Sequence, residues 1–190
     1  DHVSKGRFLF GIGAGWLREE SDVFGVDFPR RWTQTRAHIM AMKALWNGEL
    51  SEYQGKYVRF PQLWCHPKPV QKPHPPIWIP GGGSVETWHW CAERDYVYSY
   101  LSYFGYKEGR ATMQGYWDEM NKLGKDRNPY RGAFLQFVGV AETRAEALKL
   151  YNEPAEYFYG RCLHIDQRFI NPPGYTSEAT IRAKVTSQVS

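Results

Sequence analysis

The chain has 190 residues, of which 42% are hydrophobic and 23% are charged, so it is long and apolar enough for one domain with a core and is not a disordered tail. No apolar run approaches the ~20 residues of a membrane-spanning helix, and 24 basic against 20 acidic residues leave a net charge of +4. The basic residues are scattered, whereas nucleic-acid-binding proteins usually carry them as a patch or stripe. We therefore expect no membrane segment and no nucleic-acid partner.

The three cysteines are Cys65, Cys91 and Cys162, an odd number without a CxxC pair. This usage favours reduced thiols and a cytoplasmic location. No Cys/His spacing fits a zinc site, so we expect no bound metal. The first residues, DHVSKGRF, contain no apolar signal-peptide core.

The first third of the chain predicts a strand, two helical segments and a hairpin. Apolar residues at 39, 42, 45 and 46 share one helical face, and Asn47-Gly48 ends that helix. The predicted elements are a strand at 7–12, a short helix or turn at 19–25, a helix at 32–46, and a hairpin at 53–60 around Gln54-Gly55.

The remainder alternates strands with helices. Ser84 is predicted to be the N-cap of one helix, and Thr143 with Glu146 forms the pattern of a capping box in another. The predicted elements are an extended proline-rich crossing at 61–76, strands at 77–79, 96–101 and 134–140, and helices at 84–94, 107–123 and 143–159. Residues 162–190 read as an irregular tail or lid-like segment with a weak helix at 177–189.

This alternation is typical of parallel βα units, and the continuously apolar strands are typical of a sheet buried on both faces. Four such units predict a single α/β domain over residues 1–190, either a doubly wound sheet or half of a (β/α)8 barrel. In both architectures, ligands bind at the carboxyl ends of the strands. Tyr98, Tyr100 and Tyr103 in the third strand region could line such a pocket or belong to the core.

Two glycine-rich turns follow predicted strands: Gly11 to Gly15 (GIGAG) and Gly81 to Ser84 (GGGS). Glycine allows a ligand to approach the backbone, and a helix that begins at a serine offers N–H groups and a hydroxyl to an anion. The second turn therefore predicts a phosphate site, although a tight turn without a ligand would have the same sequence. The first turn is not a GxGxxG fingerprint, because Leu17-Arg18 stand where the last glycine belongs.

Several motifs in order resemble the luciferase-like monooxygenase family, the flavin-dependent enzymes related to bacterial luciferase. They are SKGRFLFGIGAGWLREESDVFG, FPRR, KALW, YQGKYVRF and PKPVQKPHPPIWIPGGGS, followed later by VGVAETRAEA. The resemblance implies a (β/α)8 barrel, of which this chain would hold roughly strands 4 to 7 with their helices. It also implies reduced FMN as cosubstrate and the activation of O2.

The resemblance places the cofactor at the two glycine turns. It implies that Gly83 and Ser84 contact the flavin phosphate, with Gly82 and Val85 beside them, and that residues 13–15 lie near the flavin ring and phosphate. Trp32 falls where relatives often have a phosphate-contacting tyrosine. The expected cofactor-binding residues are therefore Gly13, Ala14, Gly15, Gly82, Gly83, Ser84 and Val85.

Family members have roughly twice this length, so the resemblance implies an incomplete barrel that lacks the N-terminal strands and the last strand. The free fragment is expected to be inactive, and the catalytic residues are expected mostly in the missing N-terminal part. His164 is the one histidine in this chain that we single out as a candidate, since relatives often carry a mobile lid or insertion late in the chain.

The expected function is a two-component monooxygenase that acts on a small organic substrate with O2 and reduced FMN from a separate flavin reductase, and that forms a homo-oligomer when complete. One alternative is a deazaflavin-dependent dehydrogenase or reductase of the same fold. Another is a remnant that binds flavin without turnover.

Overall fold

The computed structural model describes residues 1–102, 106–126, 128–158 and 161, which form a mixed α/β structure. The strands in this part of the chain are β1 (Phe10–Gly11), β2 (Leu50–Gln54), β3 (Arg59–Trp64), β4 (Ile77–Gly81), β5 (Val97–Ser102) and β6 (Gly132–Gln136). The helices are α1 (Arg18–Val23), α2 (Arg31–Asn47), α3 (Val85–Glu93), α4 (Tyr106–Lys122) and α5 (Arg144–Tyr157). Short 3-10 turns at Phe28–Arg30 and Pro129–Arg131 precede α2 and β6.

Four strands form one parallel sheet in the order β1-β4-β5-β6, and β2 and β3 form a separate antiparallel hairpin. Each strand of the parallel sheet thus lies beside the next such strand in the sequence, as successive strands of a (β/α)8 barrel do. In the described part of the chain the sheet is open, with β1 and β6 as its edges. This arrangement agrees with the expected partial barrel.

The core lies between the sheet and the helices α2, α3 and α4. Ile77 and Ile79 of β4 and Tyr98 of β5 are almost fully buried on this side. Their helical partners include Ile39 of α2 and Tyr116 of α4 in the same buried cluster. Burying such side chains stabilises the fold by roughly 1.5–3 kcal/mol each. The packing of the helices on this side of the sheet therefore supplies much of the stability of the fold.

The opposite face of the sheet carries the alternate residues of each strand, because side chains alternate along a strand. Trp78 and Ser99 are partly buried there. Leu9 and Leu135, at the two edges, are about half exposed. In a complete barrel this face would line the interior.

The first predicted strand is too long. Residues 7–12 were expected, and only Phe10–Gly11 pair with β4. The chain opposite the preceding residues is the proline-rich crossing, in which Pro75 and Pro76 have no N–H to donate. The carbonyl of Phe8 instead accepts a bond from the Gln71 side chain at 2.7 Å.

The last predicted strand is displaced. Residues 134–140 were expected, whereas β6 runs from Gly132 to Gln136. Its partner β5 determines these limits, since Tyr98 pairs with Gly132 and Ser102 with Gln136. Among the described residues, those at 137–140 continue the apolar sequence pattern but lie outside β6.

The hairpin is confirmed and extends further than predicted, taking its second strand from the start of the proline-rich crossing. The register shifts between Ser51 and Tyr53, so that Pro61 lies at a bulge, a position that tolerates the missing N–H of proline.

The predicted helices are confirmed with shifts of one or two residues at their ends. Tyr103, Cys162, His164 and the predicted tail at 162–190 lie outside the described residues.

Candidate cofactor-phosphate site

The two glycine turns lie side by side at the carboxyl edge of the sheet. The N–H of Ile12 donates to the Trp78 carbonyl at 2.9 Å and aligns the two chains as they leave β1 and β4. A Cβ atom on Gly13 would lie 3.3 Å from Cγ of Pro80. The structure therefore brings together the two turns that the sequence predicted as parts of one site.

The first turn is attached to a buried arginine. Gly15 has a φ of +76°, a conformation that favours glycine, and its carbonyl accepts a bond from Nε of Arg31 at 3.2 Å. The Arg31 guanidinium also donates to the Phe28 carbonyl at 2.9 Å and lies 3.9 Å from the centroid of the Phe28 ring. Arg31 therefore fixes the end of this turn and places a positive charge beside it. The neighbouring Trp32 packs against the core instead.

The second turn contains one position with free space around it and one position whose conformation requires glycine. A Cβ atom on Gly82 would meet nothing within 4 Å, so a ligand could approach the backbone at that point. Gly83 has a φ of +95°, and a Cβ atom there would lie 3.4 Å from Oγ1 of Thr112. The turn therefore requires glycine at position 83 for its conformation, and Gly82 leaves space in front of it.

Helix α3 begins at this turn with Ser84 at the N-cap position, as predicted. The Ser84 side chain, however, makes no hydrogen bond to the backbone of the first turn. Its hydroxyl donates instead to the Glu86 carboxylate, with 2.6 Å between Oγ and Oε2. Glu86 stands one residue too early for the reciprocal bonds of a capping box, which need Glu or Gln three residues after the cap.

Tyr98 contacts the backbone of the second turn from the buried side of the sheet. The N–H of Gly83 donates to the Tyr98 hydroxyl at 3.0 Å, and a Cβ atom on Gly81 would lie 2.8 Å from Cε2 of the same ring. Tyr98 and Tyr100 are both buried against the helices. The possibility that these two tyrosines line a substrate pocket is therefore wrong, and the alternative that they belong to the core is confirmed.

The described histidines that make polar contacts do so away from the glycine turns. His89 bonds to Glu119 of α4 at 2.7 Å, His74 to the Pro75 carbonyl, and His38 to the Gln34 carbonyl. Burial raises the pKa of the Cys91 thiol to about 12, so this cysteine is not a nucleophile at neutral pH. Within the ranges that the structure describes, no group of three or more His, Cys, Asp or Glu residues could hold a metal ion.

No helix of the described ranges is both long and apolar enough to cross a bilayer.

An apolar cavity of about 550 Å³ lies elsewhere, between residues 137–140 and α5. Its lining, which includes Leu150, Tyr151 and Phe158, does not contain the residues of either glycine turn. It is therefore separate from the candidate phosphate site.

Three residues of this site were not singled out from the sequence, namely Arg31, Glu86 and Thr112, and Tyr98 was considered only as a pocket-lining or core residue. Arg31 contacts a turn that lies 16 positions earlier, and Tyr98 contacts one that lies 15 positions earlier. Such contacts have no local sequence signal, because they depend on how separate elements pack. Only Glu86 had a readable signal, namely a carboxylate two residues after the predicted cap.

A sequence profile of the luciferase-like monooxygenase family matches residues 1–185. The chain therefore belongs to the luciferase-like monooxygenase family, and the resemblance seen in its motifs is confirmed.

The relatives whose names state an activity include several monooxygenases. The oxygenase component of the flavin-dependent trigonelline monooxygenase of Acinetobacter baylyi is 38% identical over 81 residues, which is 42% of this chain and 22% of the relative. The FMNH2-dependent dimethylsulfone monooxygenase of Pseudomonas putida is 30% identical over 87 residues, 44% of this chain and 24% of the relative. The alkanal monooxygenase alpha chain of Aliivibrio fischeri is 30% identical over 160 residues, 84% of this chain and 44% of the relative.

Solved structures share the fold at lower identity. The oxygenating constituent of the 3,6-diketocamphane monooxygenase of Pseudomonas putida, in complex with FMN, superposes with a TM-score of 0.70 and 22% identity over 85% of this chain and 48% of that one. An F420-dependent secondary alcohol dehydrogenase superposes with a TM-score of 0.60 and 18% identity over 97% of this chain and 53% of that one. The chain thus spans about half the length of these proteins, and the likeness shows a luciferase-like barrel fold.

Proposed function

We propose that this chain is the cofactor-phosphate part of a two-component monooxygenase that uses reduced FMN and O2 to oxidise a small organic substrate. One observation carries the proposal: two glycine turns adjoin at the carboxyl edge of the sheet, and the hydroxyl at the start of α3 does not cap its own helix. The family membership and the flavin-dependent relatives support the choice of cofactor.

The residues present fit a phosphate group. The N-terminus of a helix attracts anions, because the helix dipole is positive there. In the proposal, the backbone at Ser84 and Val85 and the Ser84 hydroxyl bind the phosphate, and Gly82 lets it approach. Gly83 contributes the shape of the turn, because its own N–H already donates to Tyr98.

The first glycine turn completes the proposed site. Residues 13–15 lie beside the second turn and would contact the cofactor between its phosphate and its ring. Arg31 holds the carbonyl of Gly15 at 3.2 Å and adds a positive charge behind the turn, which favours an anionic ligand.

The cofactor would supply the electrons that reduce O2, with one oxygen atom passing to the substrate. The task of this chain is binding and orientation: the two turns hold the phosphate end, and the uncovered face of the sheet shields one side of the reaction from water. A flavin reductase as partner is supported by the relative named as an oxygenase component. Homo-oligomerisation and a cytoplasmic location belong to the same proposal, the latter supported by the free thiols of Cys65 and Cys91.

A deazaflavin-dependent dehydrogenase is the second candidate. The F420-dependent neighbour covers 97% of this chain, so the same half of the fold can serve hydride transfer. A remnant that binds flavin without turnover is the third candidate. A titration separates the first two candidates, and product formation separates a monooxygenase from a remnant.

The test is an anaerobic titration of the full-length protein with reduced FMN, reduced riboflavin and reduced F420. Wild type is compared with Ser84→Ala and with Thr143→Ala, the matched change at the start of α5. Loss of one charge-assisted hydrogen bond costs roughly 1.5–3 kcal/mol. We therefore expect Ser84→Ala to weaken FMN binding about ten- to a hundred-fold and to leave riboflavin binding unchanged.

Each other outcome selects a different reading. Binding of F420 alone would move the protein to the dehydrogenase branch, and binding of reduced FMN without oxygenated product would indicate a non-catalytic remnant. Binding of neither cofactor would reject the proposed function. Equal affinity for FMN and riboflavin would reject the phosphate site. Oxygenated product from wild type with reduced FMN and O2 would then establish the monooxygenase reaction.

A further inference from the structure

The buried tyrosine below the second glycine turn is a residue to which neither the family resemblance nor the sequence assigned a role in cofactor binding. Tyr98 projects from β5, and its hydroxyl accepts the Gly83 N–H at 3.0 Å across the sheet. The side chain is fully buried. A hydroxyl is therefore placed at the sharpest point of the turn that precedes α3.

The ring of Tyr98 also determines which residues the turn can contain. A Cβ atom on Gly81 would lie 2.8 Å from Cε2 and 3.4 Å from the hydroxyl oxygen of Tyr98, a clash that excludes a side chain at this position. On the other side of the turn, Thr112 lies below Gly83. The ring thus supports the turn from Gly81 to Gly83, and the adjacent Tyr116 ring supports Tyr98 with 5.2 Å between their centroids.

The chemistry of the contact favours a fixed turn. Burial raises the pKa of Tyr98 well above that of a free tyrosine, so its hydroxyl stays neutral and can accept the backbone N–H at physiological pH. The bond also points the Gly83 N–H into the protein. Without an acceptor, that N–H would be buried and unpaired, which proteins avoid because of its desolvation cost.

We propose that Tyr98 is a positioning residue for the phosphate site: its hydroxyl and ring hold the Gly81–Gly83 turn so that the start of α3 is presented to the phosphate. The inference rests on the proposed function and adds to it the residue on which the preorganisation depends. Preorganised binding groups raise affinity because less conformational freedom is lost when the ligand binds.

The test compares Tyr98→Phe with Tyr96→Phe in the full-length protein. Both variants remove one hydroxyl from a buried tyrosine. The Tyr96 hydroxyl accepts a bond from Nζ of Lys43, a residue of α2, at 3.4 Å. Affinities for reduced FMN and reduced riboflavin are measured anaerobically, since riboflavin is the same cofactor without its phosphate.

We expect Tyr98→Phe to weaken FMN binding about ten-fold and riboflavin binding less than about two-fold. Tyr96→Phe should leave the ratio of the two affinities unchanged. An unchanged ratio in Tyr98→Phe, alongside a reduced ratio in Ser84→Ala, would overturn the inference and leave the proposed function standing. A wild type that does not distinguish FMN from riboflavin would instead reject the proposed function.

Hydrogen exchange in the wild type provides a second test that does not require the variant to fold. The Gly83 amide should exchange slowly, because its N–H is buried and bonded to Tyr98. Exchange as fast as that of an exposed loop amide would overturn the inference.

Discussion

Helices α3 and α5 begin with similar sequences and different structures. Ser84 is followed by Glu86, and Thr143 by Glu146. In α5 the Thr143 hydroxyl accepts the N–H of Glu146, and the Glu146 carboxylate accepts the N–H of Thr143, which is a complete capping box. In α3 the hydroxyl donates to a carboxylate and makes no bond to the helix backbone.

A difference of one residue in spacing separates the two helix starts. With Glu three residues after the hydroxyl, the side chains satisfy the backbone of their own helix. With Glu two residues after it, the hydroxyl donates to the carboxylate and makes no bond to the helix backbone. The turn before α3 also carries three glycines, whereas Ala141 and Glu142 precede Thr143. The start of α5 therefore satisfies its own backbone, and the start of α3 is the one at which we propose that the phosphate binds.

The largest expected effect comes from changing the glycine turn itself. Gly83→Ala should destabilise the protein by about 1–3 kcal/mol, because Gly83 has a φ of +95° that other residues adopt only with strain. Gly82→Ala is the matched control, since its Cβ would meet open space. Its free energy of unfolding should lie within about 0.5 kcal/mol of that of wild type. Urea unfolding measures both; equal stability of the two variants would contradict the described turn.

The second prediction compares the loss of the hydroxyl at the starts of the two helices. Thr143→Ala should lower stability by about 1 kcal/mol, the usual cost of a lost N-cap, and should not change flavin affinity. Ser84→Ala should cost clearly less stability, because its hydroxyl makes no capping bond. Urea unfolding of the two variants provides the measurement, and a larger loss in Ser84→Ala would show that the hydroxyl caps α3 in solution.

The third prediction concerns the carboxylate beside the proposed phosphate site. Glu86→Gln keeps a partner for the Ser84 hydroxyl and removes a negative charge from the position where the phosphate would bind. Two unit charges 4 Å apart repel by about 1 kcal/mol in water, so reduced FMN should bind about five-fold more tightly, and less so at high salt. Glu146→Gln, the same change at α5, should leave the affinity unchanged. Weaker FMN binding in Glu86→Gln would place the phosphate elsewhere.

These two helix starts also show how much of the molecule the sequence predicts. The capping box at Thr143 was predicted correctly, because its four residues contain all the atoms that form it. The parallel sheet, the hairpin and the position of both glycine turns were likewise predicted, since hydrophobic patterns and glycines are local signals. The ends of β1 and β6 were not, because partner strands determine them.

For the candidate site, the sequence predicted the residues of the two turns but not the side chains that contact them. The glycines and Ser84 were named in advance, and the side chains that hold them in place were not. Arg31 and Tyr98 act through contacts with segments about 15 positions away, so only the packing of β5 and α2 against the turns brings them to the site. The role of Tyr98 as core was one of two open readings, and burial against the helices decided it.

The smallest expected effect concerns how the two helices are attached. In α5 no residue is buried, whereas α3 is tied to α4 by the bond between His89 and Glu119. This bond, with a further one from Lys122, holds the pKa of Glu119 below its usual value of 4.5. The stabilisation is therefore present above pH 4.5 and is lost as the pH falls through the lowered pKa of the folded state.

Because the pair is partly exposed, we expect this loss to be only a few tenths of a kcal/mol. Urea unfolding of wild type and Glu119→Gln, measured above and below pH 4.5, isolates it: the difference in stability between the two proteins should shrink as the carboxylate of the wild type becomes protonated. In hydrogen exchange, the protection of the α3 amides should fall more with pH than that of the α5 amides, because the attachment of α5 does not involve this pair. A constant difference across the titration would mean that the His89–Glu119 contact does not hold α3 against α4 in solution.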